Sequence, residues 1–150
     1  MIRCVEVALA IPDNEARTAL ATLRRLGVEL AGLERADLYR CDVAAEDAER
    51  LVETLRTCET VYNPSKHVLR VREDERPGPG EVWIDEIGGD APPPAVPITI
   101  AGRALTGVRA LERFTAWRLF AAAGRPADAA LVAAATGTLL CNPAFQKAIS

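Results

Sequence analysis

The residues of this 150-residue chain that could do chemistry are few and scattered. The single imidazole is His67, and the thiols are Cys4, Cys41, Cys58 and Cys141. A histidine does acid–base work when a nucleophile or carboxylate faces it. His67 has no Ser or Cys beside it in a nucleophile setting, so it reads as a strand-end histidine. The adjacent carboxylates Asp85–Glu86 and the pair Asp47/Glu49 read as a loop and a solvated helix face rather than as an acid–base couple. No G-x-S-x-G, P-loop or dinucleotide fingerprint is present. Gly78-Pro-Gly80 and Gly88-Gly89 are too rich in proline, or too poorly placed, to cradle phosphate. The cysteines form no C-x-x-C pair, which excludes a zinc ribbon or a thioredoxin-type centre. They read as buried, reduced thiols of a cytoplasmic protein, and a Cys4–Cys41 bridge between neighbouring strands is disfavoured. No catalytic set, cofactor or metal is expected. The one enzymatic arrangement worth carrying is a site at a dimer interface built from His67, Arg40 and Asp42.

Length and composition fit one domain, or a small domain with an appendage. Apolar residues make up 49% but aromatics only 5%, so the core must be aliphatic. A net charge of -3 with well-mixed signs argues against nucleic acid and polybasic membrane surfaces. No apolar run reaches the roughly 18 residues of a membrane span, and the alternating start with Glu6 is unlike a secretory signal.

The elements that would hold these residues centre on 45–71. Ala48, Leu51, Val52, Leu55 and Cys58 recur at helical steps, with Glu49, Arg50, Glu53 and Arg56 on the other face. Pro64 lacks an N–H and pushes Asn63 out of the helical region, so the helix ends at an Asn63-Pro64 corner. A closing strand follows over 67–72. Ahead of it, residues 2–10 alternate as a first strand, with Val5, Val7 and Leu9 on one face. Asp13 is the N-cap of a helix whose stripe is Ala16, Ala19, Leu20, Leu23 and Leu26, closed by Gly27. Residues 33–43 form a longer strand with a charged face, long enough to bend between two partners. The first half thus reads β-α-β-α-β, with both helices on one face of an antiparallel sheet. Its other face, near Glu6, Leu38, Arg40 and Arg70, has no cover in that half, which predicts a homo-oligomer paired through the sheet.

Residues 74–97 are linker chemistry enclosing one short strand, 81–86, with Val82 and Ile84 on one face. Ile98 to Ala101 could add an edge strand. Residues 98–150 then read as a helical hairpin. One helix runs over 105–123, displaying Val108, Leu111, Phe114, Trp117, Leu119 and Phe120; a second runs from Pro126 to Leu140. Leu131-Val132 with Asn142-Pro143 repeats Leu51-Val52 with Asn63-Pro64 one residue shorter. The favoured reading is that helices often end at Asn-Pro. The rival is a decayed second copy, which would lack both the long strand and a closing strand after Pro143.

The stretches CVEVALAI, EARTALATLRRLGV, LERADLYRCDV and LVETLRTCETVYNP followed by HVLRV resemble PurS, the small subunit of bacterial formylglycinamide ribonucleotide amidotransferase (phosphoribosylformylglycinamidine synthase). The resemblance covers residues 1–73 and rests on element order, lengths and the corner at Asn63 and Pro64. It departs at Ile11-Pro-Asp-Asn-Glu15, where the family has an Asp-Pro-x-Gly turn, and in the second half, which the short subunit lacks. It implies an α+β fold with a PurS-like antiparallel sheet, and a non-catalytic accessory subunit bridging glutaminase and synthetase subunits in purine synthesis. A small-molecule-sensing regulatory module is the alternative.

Overall fold

The computed structural model describes residues 1–86 and 97–150. In chain order, its elements begin with β1 (Ile2–Leu9), α1 (Asn14–Arg25), β2 (Gly32–Val43), a 3₁₀ turn at Ala45–Asp47, α2 (Ala48–Arg56) and β3 (His67–Arg72). They continue with β4 (Glu81–Glu86), β5 (Thr99–Ile100), β6 (Arg103–Ala104), β7 (Val108–Ala122) and β8 (Arg125–Pro126). The last are α3 (Ala129–Ala135), a π-helical turn at Thr136–Leu140, and β9 (Gln146–Ile149). The class is α+β: a mostly antiparallel sheet of seven strands with three helices. The Pro-rich stretch expected to be linker over 88–94 falls outside the described residues.

The chain divides into two compact units, and the division cuts across sequence order. The first comprises Met1–Ile11, Asp37–Glu75 and Gly89–Arg113; the second comprises Pro12–Ala36, Arg76–Gly88 and Phe114–Ser150. The long strands β2 and β7 each give one end to each unit.

In the first unit the strand order is β3-β1-β2-β7, with β1 and β3 antiparallel from Cys4↔Arg72 to Leu9↔His67. Val5, Val7, Tyr39, Cys41 and Val43 meet Ala48, Leu51 and Leu55 of α2 in one core. Leu105 and Val108 are buried with them, and Ile98 and Ile100 pack at their margin. The pleat sends alternate residues of β1 and β2 to that face, and helical spacing turns one stripe of α2 onto it. Glu6 and Leu38, expected on an open sheet face, are 4% and 0% exposed within a single chain. At these two positions the face is already covered.

In the second unit the order is β2-β7-β4-β9, with β8 hairpinned onto β7. Leu23, Val28, Leu30 and Leu33 meet Val82, Ile84, Leu119, Val132 and Leu140. Helix α1 follows the sequence reading. Asp13 accepts from Glu15 N–H at 3.0 Å and Ala16 N–H at 3.2 Å, and Gly27 adopts φ +91. Leu26, assigned to the buried stripe, is instead 56% exposed, because it is the C-cap and has left the helical face.

The helical hairpin needs correcting. Residues 108–122 are a 15-residue strand, not a helix. Buried Phe114 and Ala116 alternate in sequence with Trp117 and Leu119, which join the core on the helix side. A strand apolar on both faces has lost its two-residue period, so its apolar positions also fit the helical template. Gly107 and Gly124, at φ +74 and +70, bracket it. The second limb of the hairpin is helical, but it starts after Pro126, at Ala129, capped by Asp128 accepting from Leu131 N–H at 2.8 Å. A closing strand does follow Pro143: β9 runs antiparallel to β4 from Trp83↔Ile149 to Glu86↔Gln146. Both features said to be missing from a second copy are therefore present. Each unit reads long strand, helix, Asn-Pro corner, closing strand.

Candidate functional site: two Asn-Pro corners and a charged sheet face

The corner at Asn63-Pro64 is a closed hydrogen-bond ring. Asn63 Oδ1 accepts from Ser65 N–H at 2.9 Å, its carbonyl accepts from Lys66 and His67 N–H, and its own N–H donates to His67 Nδ1 at 2.9 Å. The corner at Asn142-Pro143 repeats the ring. Asn142 Oδ1 accepts from Ala144 N–H at 3.0 Å, its carbonyl from Phe145 and Gln146 N–H, and its N–H donates to Gln146 Oε1 at 2.8 Å. Proline suits the second position because no N–H is needed there, and asparagine the first because its amide satisfies the backbone two residues on. His67 and Gln146 hold equivalent places. The Nδ1 of His67 is thus an acceptor occupied by backbone, and its ring lies 6.4 Å from that of Tyr62.

The residues named for an interfacial active site do not meet within a chain. Arg40 clasps Glu112 through Nε and Nη2, both at 3.0 Å, and reaches the Glu75 carbonyl at 3.1 Å. Asp42 lies 3.6 Å from the amino terminus and 3.2 Å from Arg109. His67 pairs with Leu9 at the opposite end of β1 from Met1. Seven residues of strand put these ends roughly 24 Å apart.

Around Arg40 the first unit carries a charged face. Glu6, buried at 4%, accepts from Arg70 Nη2 at 2.7 Å and lies 3.8 Å from Arg72, whose side chain is only 6% exposed. Cys4 sits among these charges with its pKa raised, chiefly by burial, against the pull of Arg40 and Arg72. Burial pushes the Cys41 thiol up to about 12. Thiols held protonated are poor nucleophiles. Glu6 and Glu112 both accept from arginines.

The second unit has its own buried acid. Glu81, 5% exposed, accepts from Trp83 Nε1 and from Arg118 Nε at 3.2 Å. Trp83 is fully buried and its ring lies 5.5 Å from Phe114. Beside Glu81 opens a cleft of about 690 Å³ lined by small residues, among them Gly80, Ala129, Ala133, Gly137 and Ala148. Sequence reasoning assigned no site to Glu81, Trp83 or Arg118. Arg118 lies in the misread segment, and the signal for the other two was the charged–apolar alternation Glu81-Val-Trp-Ile.

The carboxylate pairs have separate duties. Glu86 accepts from Gln146 Nε2 at 2.9 Å, and Asp47 lies 3.7 Å from Arg50. Among the described residues no group of three or more His, Cys, Asp or Glu could hold a metal ion, and no helix is long and apolar enough to cross a membrane. No family model, curated protein or solved structure matches this chain.

Proposed function

We propose that the chain is a PurS-like bridging or accessory subunit of the formylglycinamide ribonucleotide amidotransferase, a cytoplasmic assembly module that makes no bonds itself. The observation that supports this reading most is the repeated frame. Each unit carries the sequence long strand, helix, Asn-Pro corner, closing strand, with matching corner hydrogen bonds. In the family that residues 1–73 resemble, small subunits associate through their sheets and join the glutaminase to the synthetase. A chain with two such frames would offer two related surfaces from one polypeptide, which suits holding two different enzymes. The arginine-clasped acids Glu6 and Glu112 tie β1 to β3 and β2 to β7, which supports a structural duty for that face in the proposed role.

The homo-oligomer remains part of the proposal. Its place is the edge strand β3, where Val68 and Val71 are 56% and 37% exposed. Sedimentation of the purified chain measures it, and a concentration-independent monomer removes it. The bridging role is tested by recovering the tagged chain from its native lysate and identifying partners by mass. Co-recovery of glutaminase and synthetase subunits, with purine auxotrophy on deletion, is the expected result. Recovery of the chain alone, with normal growth without purines, overturns it.

A further inference from the structure

Arg3 on β1 presents a guanidinium whose Nε is sheltered from water and has no hydrogen-bond partner. A buried donor left unmade is disfavoured, and such a group in a native fold calls for an explanation. Arg3 lies in the wall of a groove of about 390 Å³ in the first unit, between β1, the edge strand β3 and α2. The other lining residues are Ala48, Glu49, Val52, Glu53 and Val71. Glu49 and Glu53 are one helical turn apart, so both carboxylates stand on the same face of α2. Glu53 lies 3.4 Å from Arg56 of its own helix rather than turning to Arg3. Val52 and Val71 give the groove an apolar side.

The groove therefore brings together an arginine, two carboxylates and a small apolar wall. We propose that it binds a small zwitterion of the α-amino acid class. The ligand carboxylate lies against Arg3, its ammonium against Glu49 and Glu53, and an aliphatic side chain over Val52 and Val71. Arginine is suited to the first task, because its planar fork meets a carboxylate with two parallel bonds. The volume lies within the range of small-molecule sites and exceeds the size of a single amino acid. This site does not depend on the bridging role, although it shares Val71 with the edge strand assigned to self-association.

Three ligands dissect it on the unaltered protein: L-leucine, 4-methylpentanoate, which lacks the ammonium, and 3-methylbutylamine, which lacks the carboxylate. Calorimetric titration should show binding of leucine, with each truncated ligand at least ten-fold weaker. Arg3→Met should abolish leucine binding, and Glu49→Gln with Glu53→Gln should weaken leucine while sparing or improving 4-methylpentanoate. Circular dichroism confirms that each variant is folded. Equal binding of all three ligands, or none at millimolar concentration, overturns the proposal whatever the variants do. So does leucine binding that survives Arg3→Met. An Arg3→Met variant that melts higher while the parent binds nothing identifies Arg3 as a frustrated side chain and no site.

Discussion

The two units share a frame and differ in what they lay over it. In the first, α2 is joined by residues 98–108, whose short hairpin β5–β6 brings Ile98, Ile100, Leu105 and Val108 to the core. In the second, α3 is joined by a full helix, α1, which contributes Leu23. Their buried acids differ in the same spirit. Glu6 is met by arginines from the neighbouring strand, whereas Glu81 is met by an indole two residues away and by Arg118. The corners, by contrast, are preserved down to the hydrogen bond made by the fourth residue on. A turn must satisfy each backbone group, which few sequences do, whereas a core needs only apolar volume of suitable shape.

The comparison breaks most visibly at the largest buried side chains. Trp83→Ala should cost about 3–5 kcal/mol, since it removes a wholly buried indole whose ring lies tilted against that of Phe114. Leu55→Ala in the first unit should cost about 2–5 kcal/mol. Both tryptophans, Trp83 and Trp117, belong to the second unit and both tyrosines to the first. Denaturant unfolding followed by tryptophan emission and by circular dichroism tests whether Leu55→Ala loosens one unit or both. Coincident curves mean a single cooperative transition.

Next come the glycines. A Cβ on Gly80, at φ +71, would sit 2.8 Å from the Leu119 carbonyl and 2.8 Å from Pro126, while one on Gly124, at φ +70, would meet nothing within 4 Å. Gly124→Ala should therefore cost about 1 kcal/mol, the left-handed penalty alone. Gly80→Ala should cost more than about 2 kcal/mol, because the backbone must also move. Equal losses in chemical denaturation would show that the close approach at Gly80 relaxes freely.

Alkali should weaken the first unit. Cys41 has an ordinary thiol value of 9.0 raised to about 12 by burial. The unfolded chain thus loses its proton first as pH rises. The contribution of this thiol is whole below pH 9 and disappears between pH 9 and about 12, at about 1.4 kcal/mol for each unit of displacement. A Cys41→Ala chain should show a flatter fall in stability over that window. Labelling at pH 8 should reach Cys141, which is half-buried, well before Cys4, Cys41 or Cys58.

The smallest effects sharpen the likeness between corners. Because Gln146 does at one corner what His67 does at the other, His67→Gln should change stability by less than about 0.5 kcal/mol. His67→Leu leaves the Asn63 N–H without its partner and should cost about 1 kcal/mol. Thermal melts of the two variants separate a structural acceptor from a special imidazole.

The legible parts of the fold were those where one face is wet. Helix α1 shows its cap, stripe and stop because solvent holds its other side to polar residues, and β1 and α2 are readable for the same reason. β7 was misread because from Phe114 onward both of its faces find apolar company, which erases the period. β9 was missed because Gln-Lys-Ala-Ile is short and polar, and only its ladder with β4 makes it a strand. Of the site, the Asn63-Pro64 corner was visible as local chemistry. The clasp of Glu112 by Arg40 joins residues 72 positions apart and could not be read from spacing.

The route of β2 and β7 has a consequence for how this protein can be divided. Each unit is assembled from three separate stretches of chain, so no contiguous gene fragment encodes either one. A truncation after residue 75 would retain α1 and the first end of β2 while discarding every other element of the second unit. Synthesis reaches the last residue of the first unit, Arg113, only after two of the three stretches of the second unit have been made, and the second unit is complete only at the end of the chain.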